Sequence, residues 1–393
     1  MWLSDFRVVL PDAVLDHGAL RIADGTIAEI RDTPVSGAEL DGGINGGGLL
    51  LMPGFIDMHG DMIEREVEPR PNVKMPMELG LRDLDRRLKT AGVTTGYAAV
   101  SFNPKSAYGH LRSYDHSKEM LRALKAMRAI LKVDHRVHAR FEINYPNALA
   151  VVEELIADGT VDLVSLTDHT PGQGQYRDIE RLTRRTQAEK GVSEAEAMAA
   201  VQARIDEKQQ AAGDTAATLK AISATCARHG IALASHDDDT PDKVALMQSL
   251  GAAISEFPVT EEAARAARSH GLLTAMGAPN ALRGESYSGN LSARACHAAG
   301  LLDILAADYH PSAILPAVLI LGRTDPLGLA GAARLATLNP ARALGLADRG
   351  AIAPGKRADL VIADDEGVGH VRATLRGGRM IFSDGTLTAR AAA

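Results

Sequence analysis

Met52-Pro53-Gly54-Phe55-Ile56-Asp57-Met58-His59-Gly60-Asp61 ends a short apolar run on a histidine and an aspartate one residue apart. Residues at i and i+2 point to the same side of a strand, so His59 and Asp61 can converge on one ion where the strand meets its loop. A lone His-x-Asp is more simply read as a surface loop after a core strand. Further along the chain, however, four more potential ligands follow strand-like runs: Glu142 after Arg140-Phe141, His169 after Leu166-Thr167-Asp168, His236 after Ala234-Ser235, and Asp308 after Ala306-Ala307.

Working outward from that stretch, apolar runs alternate with helix-period segments, the pattern of repeated βα units. Eight such runs end near His59, Val100, Glu142, His169, His236, Pro258, Gly277 and Asp308. Between them Met120, Leu121, Leu124, Met127 and Leu131 recur at helical spacing, as do Leu149, Val152 and Leu155. Eight βα units predict an α/β fold closed as a (β/α)8 TIM barrel over residues 53–349, with reacting groups at the carboxyl ends of the strands. All six candidate ligands fall there. Alternating runs broken by Asp24-Gly25 near the N-terminus, and by Gly377-Gly378 and Asp384-Gly385 near the C-terminus, follow hairpin grammar. Neither end alone supplies enough strands for a core, so residues 1–52 plus 350–393 are expected to join into one small β-sandwich domain. The charged segment near 176–212 reads as a helical insertion. Its default meaning is a solvated helical pair or an oligomer contact, and a lid over the site is the sharper alternative.

The chain has 393 residues, 46% hydrophobic and 24% charged, with a net charge of −7 and a pI near 6.0, which argues against nucleic acid bound through broad electrostatics. Cys226 and Cys296 lie far apart and show no zinc or redox spacing; both are expected as buried small hydrophobes. No window reaches the apolar length of a membrane helix and no leader pattern precedes the first strand, so a cytoplasmic protein with no membrane partner is expected. A symmetric homodimer is the base-rate expectation for a barrel of this size.

A metal set of His59, Asp61, Glu142, His169, His236 and Asp308 offers nitrogen and oxygen ligands without thiolates, which suits divalent zinc, manganese, iron or nickel rather than a structural zinc. One ion rarely uses six protein ligands. Two ions bridged by Glu142 would share them and leave room for a hydroxide nucleophile, with Asp308 as the catalytic proton acceptor. The remaining histidines, among them His17, His110, His116, His135, His229, His270, His297 and His370, fit solvated or simply hydrogen-bonded roles. His138 shares a strand with Glu142, and His310 follows Asp308 by two residues, so these two are intermediate.

Pro53-Gly54-Phe55-Ile56-Asp57-x-His59, Asn339-Pro340-Ala341, Gly350-x-Ile352-x-x-Gly355 and Ala358-Asp359-Leu360-Val361 resemble the amidohydrolase superfamily from its first strand to its closing β domain. Ser165 to Gln173, Ala232 to Asp238, Met276 to Asn280, Arg283-Gly284, Ser288-Gly289-Asn290 and Ala307-Asp308-Tyr309 narrow the resemblance to its diphosphatases of phosphonate catabolism. That branch implies a metal-dependent hydrolase barrel that cleaves α-D-ribose 1-methylphosphonate 5-triphosphate to the 5-phosphate and pyrophosphate. A polyphosphate needs fixed cations and donors, for which Arg70, Lys74, Arg177, Arg283, Ser288 and Asn290 in post-strand loops are the candidates. Asp61 stands where the superfamily usually has a second histidine. No lysine ends a strand to serve as the usual bridge. The two later histidines follow the fourth and fifth runs, where the superfamily commonly uses the fifth and sixth strands, so either a strand is uncounted or the site is arranged differently. Two alternatives share the scaffold: an amidase or deaminase acting on a C–N bond, and a catalytically silent barrel.

Overall fold

The computed structural model of the chain describes residues 1–70, 73–103, 109–145, 147–210, 212–286 and 289–387. Eight parallel strands form one sheet in chain order: β1 Phe55–Gly60, β2 Val93–Ser101, β3 Asp134–Glu142, β4 Leu163–Thr167, β5 Ala232–His236, β6 Ile254–Glu256, β7 Leu273–Gly277 and β8 Ile304–Ala306. A parallel bridge between Gly60 and Asp308 brings the first strand against the last and closes the barrel. Each of the eight apolar runs ends within two residues of a strand's end, so no strand was uncounted. His169 therefore follows β4 and His236 ends β5, an arrangement that differs from the usual fifth and sixth positions.

Helices cover the outside of the barrel, and their apolar stripes match the predicted spacing. Met120, Leu121 and Leu124 face inward from the helix Tyr114–Met127, and Val152 and Leu155 do so from Ala148–Ala157. Short strand-to-helix turns are closed by side-chain caps: Thr240 accepts from Lys243 N and Thr260 from Ala263 N. The barrel interior below the mouth is filled by Met58, Tyr97, Leu163, Ala234, Ile254, Ala275 and Ile304.

Strand β3 shows most clearly how sequence becomes site. Val137, Ala139 and Phe141 face the outer helices, so His138, Arg140 and Glu142 alternate into the barrel and climb toward its mouth. In β1 the simple alternation fails. Met58 packs inside the barrel while His59 also lines its mouth, because the register with β2 shifts between Asp57 and Gly60.

The chain ends join as expected, but in one continuous eight-stranded sheet rather than two separate ones. Trp2–Val9, Val14–Ala23, Thr26–Arg31 and Leu50–Pro53 from the N-terminal side meet Leu360–Ala363, Val371–Arg376 and Arg379–Ser383, with Pro53 to Leu50 antiparallel to 360–363. The sheet bends over its own apolar face, so Leu20, Ile22 and Ile27 pack with Leu360, Ala373 and Leu375. Within 176–212 lie the helices Ile179–Lys190 and Glu194–Gln210, a paired hairpin, before Ala212–His229 leads into β5. Cys226 and Cys296 are buried and unbridged. Among the described residues no helix is long and apolar enough to cross a membrane.

At the foot of the barrel Arg349 donates to Thr95 Oγ1 at 2.8 Å on β2, to Asp134 Oδ2 at 2.6 Å on β3 and to Asp348 at 2.8 Å. Breaking a buried pair leaves a charge without compensation. Chemical denaturation of Arg349→Met should show a loss on the order of 3 kcal/mol, and an unchanged midpoint would remove this residue from the fold's supports.

Candidate metal centre and active site

A cavity of about 350 Å³ opens at the carboxyl ends of the strands, and His59, Asp61, His236 and Asp308 line it together. The barrel's closure places three of these side by side. Asp308 N donates to His59 O at 2.8 Å, and Asp61 N donates to Asp308 O at 3.0 Å. Beneath them the Asp57 carboxylate accepts from His59 N at 3.0 Å and Ala307 N at 2.8 Å, tying β1 to the end of β8. Gly277 leaves room for this arrangement, since a Cβ there would lie 3.1 Å from Asp308 Oδ2. Asp237, Phe257 and Asp308, at the ends of β5, β6 and β8, all adopt left-handed backbone with φ of 54°, 52° and 55°. Non-glycine residues held in that region cost about 1–3 kcal/mol each and concentrate where function needs them.

Glu142 and His169 form the neighbouring part of the centre. The His169 imidazole lies 2.5 Å from Glu142 Oε2, its backbone N–H donates to Glu142 Oε1 at 3.0 Å, and its ring stands 6.3 Å from that of His236. Phe257 stacks edge-on against both His59 and His236, with ring centroids at 4.9 Å and 5.3 Å. The β5 turn is held from below, where the fully buried Asp238 accepts from Ser235 and Ser255, each at 2.5 Å.

Two residues outside the six expected ligands lie deepest beside this centre: His138, intermediate on sequence grounds, and Glu256, which no strand-end signal marks because its run reads on to Pro258. His59 Nδ1 lies 3.3 Å from Glu256 Oε2, and the ligand atoms of His59, His138 and Glu256 all fall within 4.8 Å of one another, so this buried triad can hold a divalent ion. The donors fit one once Ser165 yields. His138 Nδ1 faces the Met58 carbonyl at 3.1 Å, the outer bond typical of a metal-binding imidazole; its Nε2 contacts Ser165 Oγ at 2.9 Å and would exchange that contact for an ion, and Glu256 Oε1, 3.7 Å from the same nitrogen, has no hydrogen bond. Burial drives His138 down to about 3 and His59 well below the usual imidazole range, with Arg140's charge adding to the effect on His59. Both imidazoles are therefore neutral and able to ligate. Of the six residues predicted from sequence, His59, Asp61, His236 and Asp308 line the cavity and Glu142 pairs with His169 beside it, while the cluster close enough to share one ion among the described residues is the deeper one, which takes only His59 from that set.

Burial, then repulsion from Asp61, raises Asp308 to about 7, and burial raises Asp57 to about 7 against its two backbone donors. Burial also pushes Asp237 upward, but His236, 3.2 Å away, reverses the balance and holds it well below the carboxylate range.

Of the predicted substrate contacts, Arg283 and Asn290 line the cavity rim, beside Asn280, Ser286 and Tyr309. Arg70, Lys74 and Arg177 are exposed and do not line it. Ser288 lies outside the described residues. His310 is exposed next to Tyr309. Arg140 and Asp237, which also line the cavity, were not predicted. The insertion reaches the same region: Arg204 donates to the His169 carbonyl at 2.7 Å, and Gln175, just before the insertion, lines the cavity.

Metal analysis of purified variants tests this centre. His236→Asn and Glu142→Gln should lose metal while keeping the native circular dichroism spectrum. Glu256→Gln should weaken metal affinity by about 10–100-fold; wild-type affinity in Glu256→Gln would remove the buried triad from the centre.

Comparison with known proteins bears on the fold and the family. A 5-methylcytosine deaminase from Klebsiella pneumoniae superposes with a TM-score of 0.64 at 18% identity, covering 98% of this chain and 97% of that one. An N-acetyl-D-glucosamine-6-phosphate deacetylase from Mycobacterium smegmatis superposes with a TM-score of 0.63 at 17% identity, over 97% and 100% of the two chains. These likenesses concern the fold. An alpha-D-ribose 1-methylphosphonate 5-triphosphate diphosphatase from Escherichia coli (strain K12) is 36% identical over 388 residues, 97% of this chain and 100% of that relative. The amidohydrolase family matches residues 50–381, and the chain belongs to that family.

Proposed function

We propose that the protein is a metal-dependent diphosphatase that hydrolyses α-D-ribose 1-methylphosphonate 5-triphosphate to the 5-phosphate and pyrophosphate, in the cytoplasm, as a step of phosphonate catabolism. The observation that carries this choice within the family is the rim. Arg283, at the end of the short helix Ala278–Arg283 after β7, and Ser286 and Asn290 in the loop that follows line the same cavity as His59, His236 and Asp308. Glu285 lines it too, 3.5 Å from Arg283, and would have to yield that guanidinium to a phosphate. A substrate of a C–N hydrolase without anionic groups would not need this arginine and these hydrogen-bond donors at the rim. The 36% identity to the Escherichia coli diphosphatase supports the same choice.

Family membership implies a divalent metal, which when bound makes water a nucleophile at neutral pH and neutralises phosphoryl charge. We assign two such ions to His59, Asp61, Glu142, His169, His236 and Asp308, with His138 and Glu256 supporting or sharing the inner position. Asp308 takes the proton as water attacks phosphorus and the bond to the pyrophosphate oxygen breaks. Its place at the end of β8, in the cavity beside Asp61 and His59, suits that task. Arg283 and Asn290 hold the outer phosphates.

Phosphorus NMR of manganese- or zinc-loaded protein with the ribosyl triphosphate, run beside ATP and an N-acyl amino acid, tests the proposal. Pyrophosphate and the 5-phosphate should appear from the ribosyl substrate, with slower or no turnover of the others. No pyrophosphate from a demonstrably metal-loaded sample, with amide cleavage instead, would move the assignment to C–N hydrolysis.

A further inference from the structure

Arg140 lines the cavity in an unusual state for a buried cation. It lies on β3 two residues before Glu142, so the strand aims it inward, and it is only 7% exposed. A buried guanidinium ordinarily meets a carboxylate through two parallel hydrogen bonds. Arg140 makes no ion pair with a carboxylate among the described residues, although Asp61, Asp237 and Asp308 line the same cavity. Its Nε has no partner, and its Nη2 faces the Nε2 of His236 at 3.3 Å, a neutral acceptor at best. A desolvated cation left in this state is costly unless an anion completes it.

The position of that contact is informative. The Nε2 lone pair of His236 cannot both accept from Arg140 and ligate an ion. Metal loading through that nitrogen would free the Nη2 of Arg140, a residue that already lines the cavity beside His236 and Asp308.

We propose that Arg140 is a catalytic residue that binds a non-bridging oxygen of the phosphoryl group under attack, completing from the barrel wall an anion site whose outer part is Arg283. The proposal rests on the phosphoanhydride reading above and adds to it the inner recognition element. In the step itself, water oxygen bonds to phosphorus, its proton passes to Asp308, and the phosphorus bond to the pyrophosphate oxygen breaks with its electron pair leaving on pyrophosphate. Arg140 gains and loses no proton; its donors follow the charge that collects on the equatorial oxygens.

The variants are Arg140→Met, which keeps length and removes charge, and Arg140→Lys. Arg140→Gln serves where methionine disturbs folding. Metal-saturated protein is titrated with inorganic tripolyphosphate under buffered excess divalent ion, alongside thermal melts and pyrophosphate release. Arg140→Met should melt at or above the wild-type temperature, since it removes a charge that lacks a partner, and should keep its metal. Tripolyphosphate binding should weaken by about tenfold or more, the scale of one hydrogen bond between charged groups. Pyrophosphate release should fall by about 100-fold in kcat, as on loss of one transition-state donor, with part recovered by lysine. Wild-type tripolyphosphate binding in Arg140→Met or Arg140→Gln, or a lowered melting temperature with binding intact, would overturn the proposal and leave Arg140 a structural group. Wild-type protein that binds tripolyphosphate through Arg140 but releases no pyrophosphate would sink the proposed reaction while supporting the anion contact.

Discussion

The closure of the barrel between its first and last strands is the constraint on which the rest depends. One carboxylate, Asp57, accepts backbone N–H groups from both His59 and Ala307, and the Asp308 and Asp61 amides exchange hydrogen bonds with the facing backbone directly above. Closing eight parallel strands in this way requires an irregular β1 and a left-handed Asp308, both unfavourable locally. Those same distortions aim His59, Asp61 and Asp308 into one space. The architecture and the site are thus a single solution, with strain in the backbone held by the surrounding core.

A second consequence is electrostatic. Inward positions near the mouth carry carboxylates and neutral imidazoles in a setting with little water, and burial, reinforced by neighbouring carboxylates, raises Asp57 and Asp308 toward neutrality. Under the proposed diphosphatase reading, such a cavity needs cations before it can take a polyphosphate, and the imidazole and carboxylate donors are suited to hold them; positive side chains must then meet the anionic oxygens. The layering is visible along β3, where His138, Arg140 and Glu142 present in succession a deep donor, an unpaired cation and a carboxylate at the mouth.

The fold was legible because it rests on repetition: eight apolar runs separated by helical periods admit few closures, and hairpin signals at both ends had no core except one another. The predicted mouth residues were legible because histidines and acids at strand ends are conspicuous. Arg140 and His138 were not, since mid-strand polar residues resemble outward-facing positions until the opposite alternation of Val137, Ala139 and Phe141 is followed through; Glu256 ends β6, but its apolar run reads on to Pro258, which hides the acid inside it. That alternation was present in the chain. Asp237 and Phe257 depend on left-handed turns that no local sequence signal demands. Arg70, Lys74 and Arg177 show the converse: loop order along the chain does not reveal which loops fold inward, and these three side chains face solvent.

The most direct measurement of the central claim is an anomalous-scattering map of crystals of the manganese- or zinc-loaded protein. The account predicts ion peaks at the carboxyl ends of the strands, within bonding distance of His59, His236 and Asp308, with the Arg140 guanidinium turned away from His236. Ions bound only outside this mouth, or a mouth that stays metal-free while the protein is active, would contradict it.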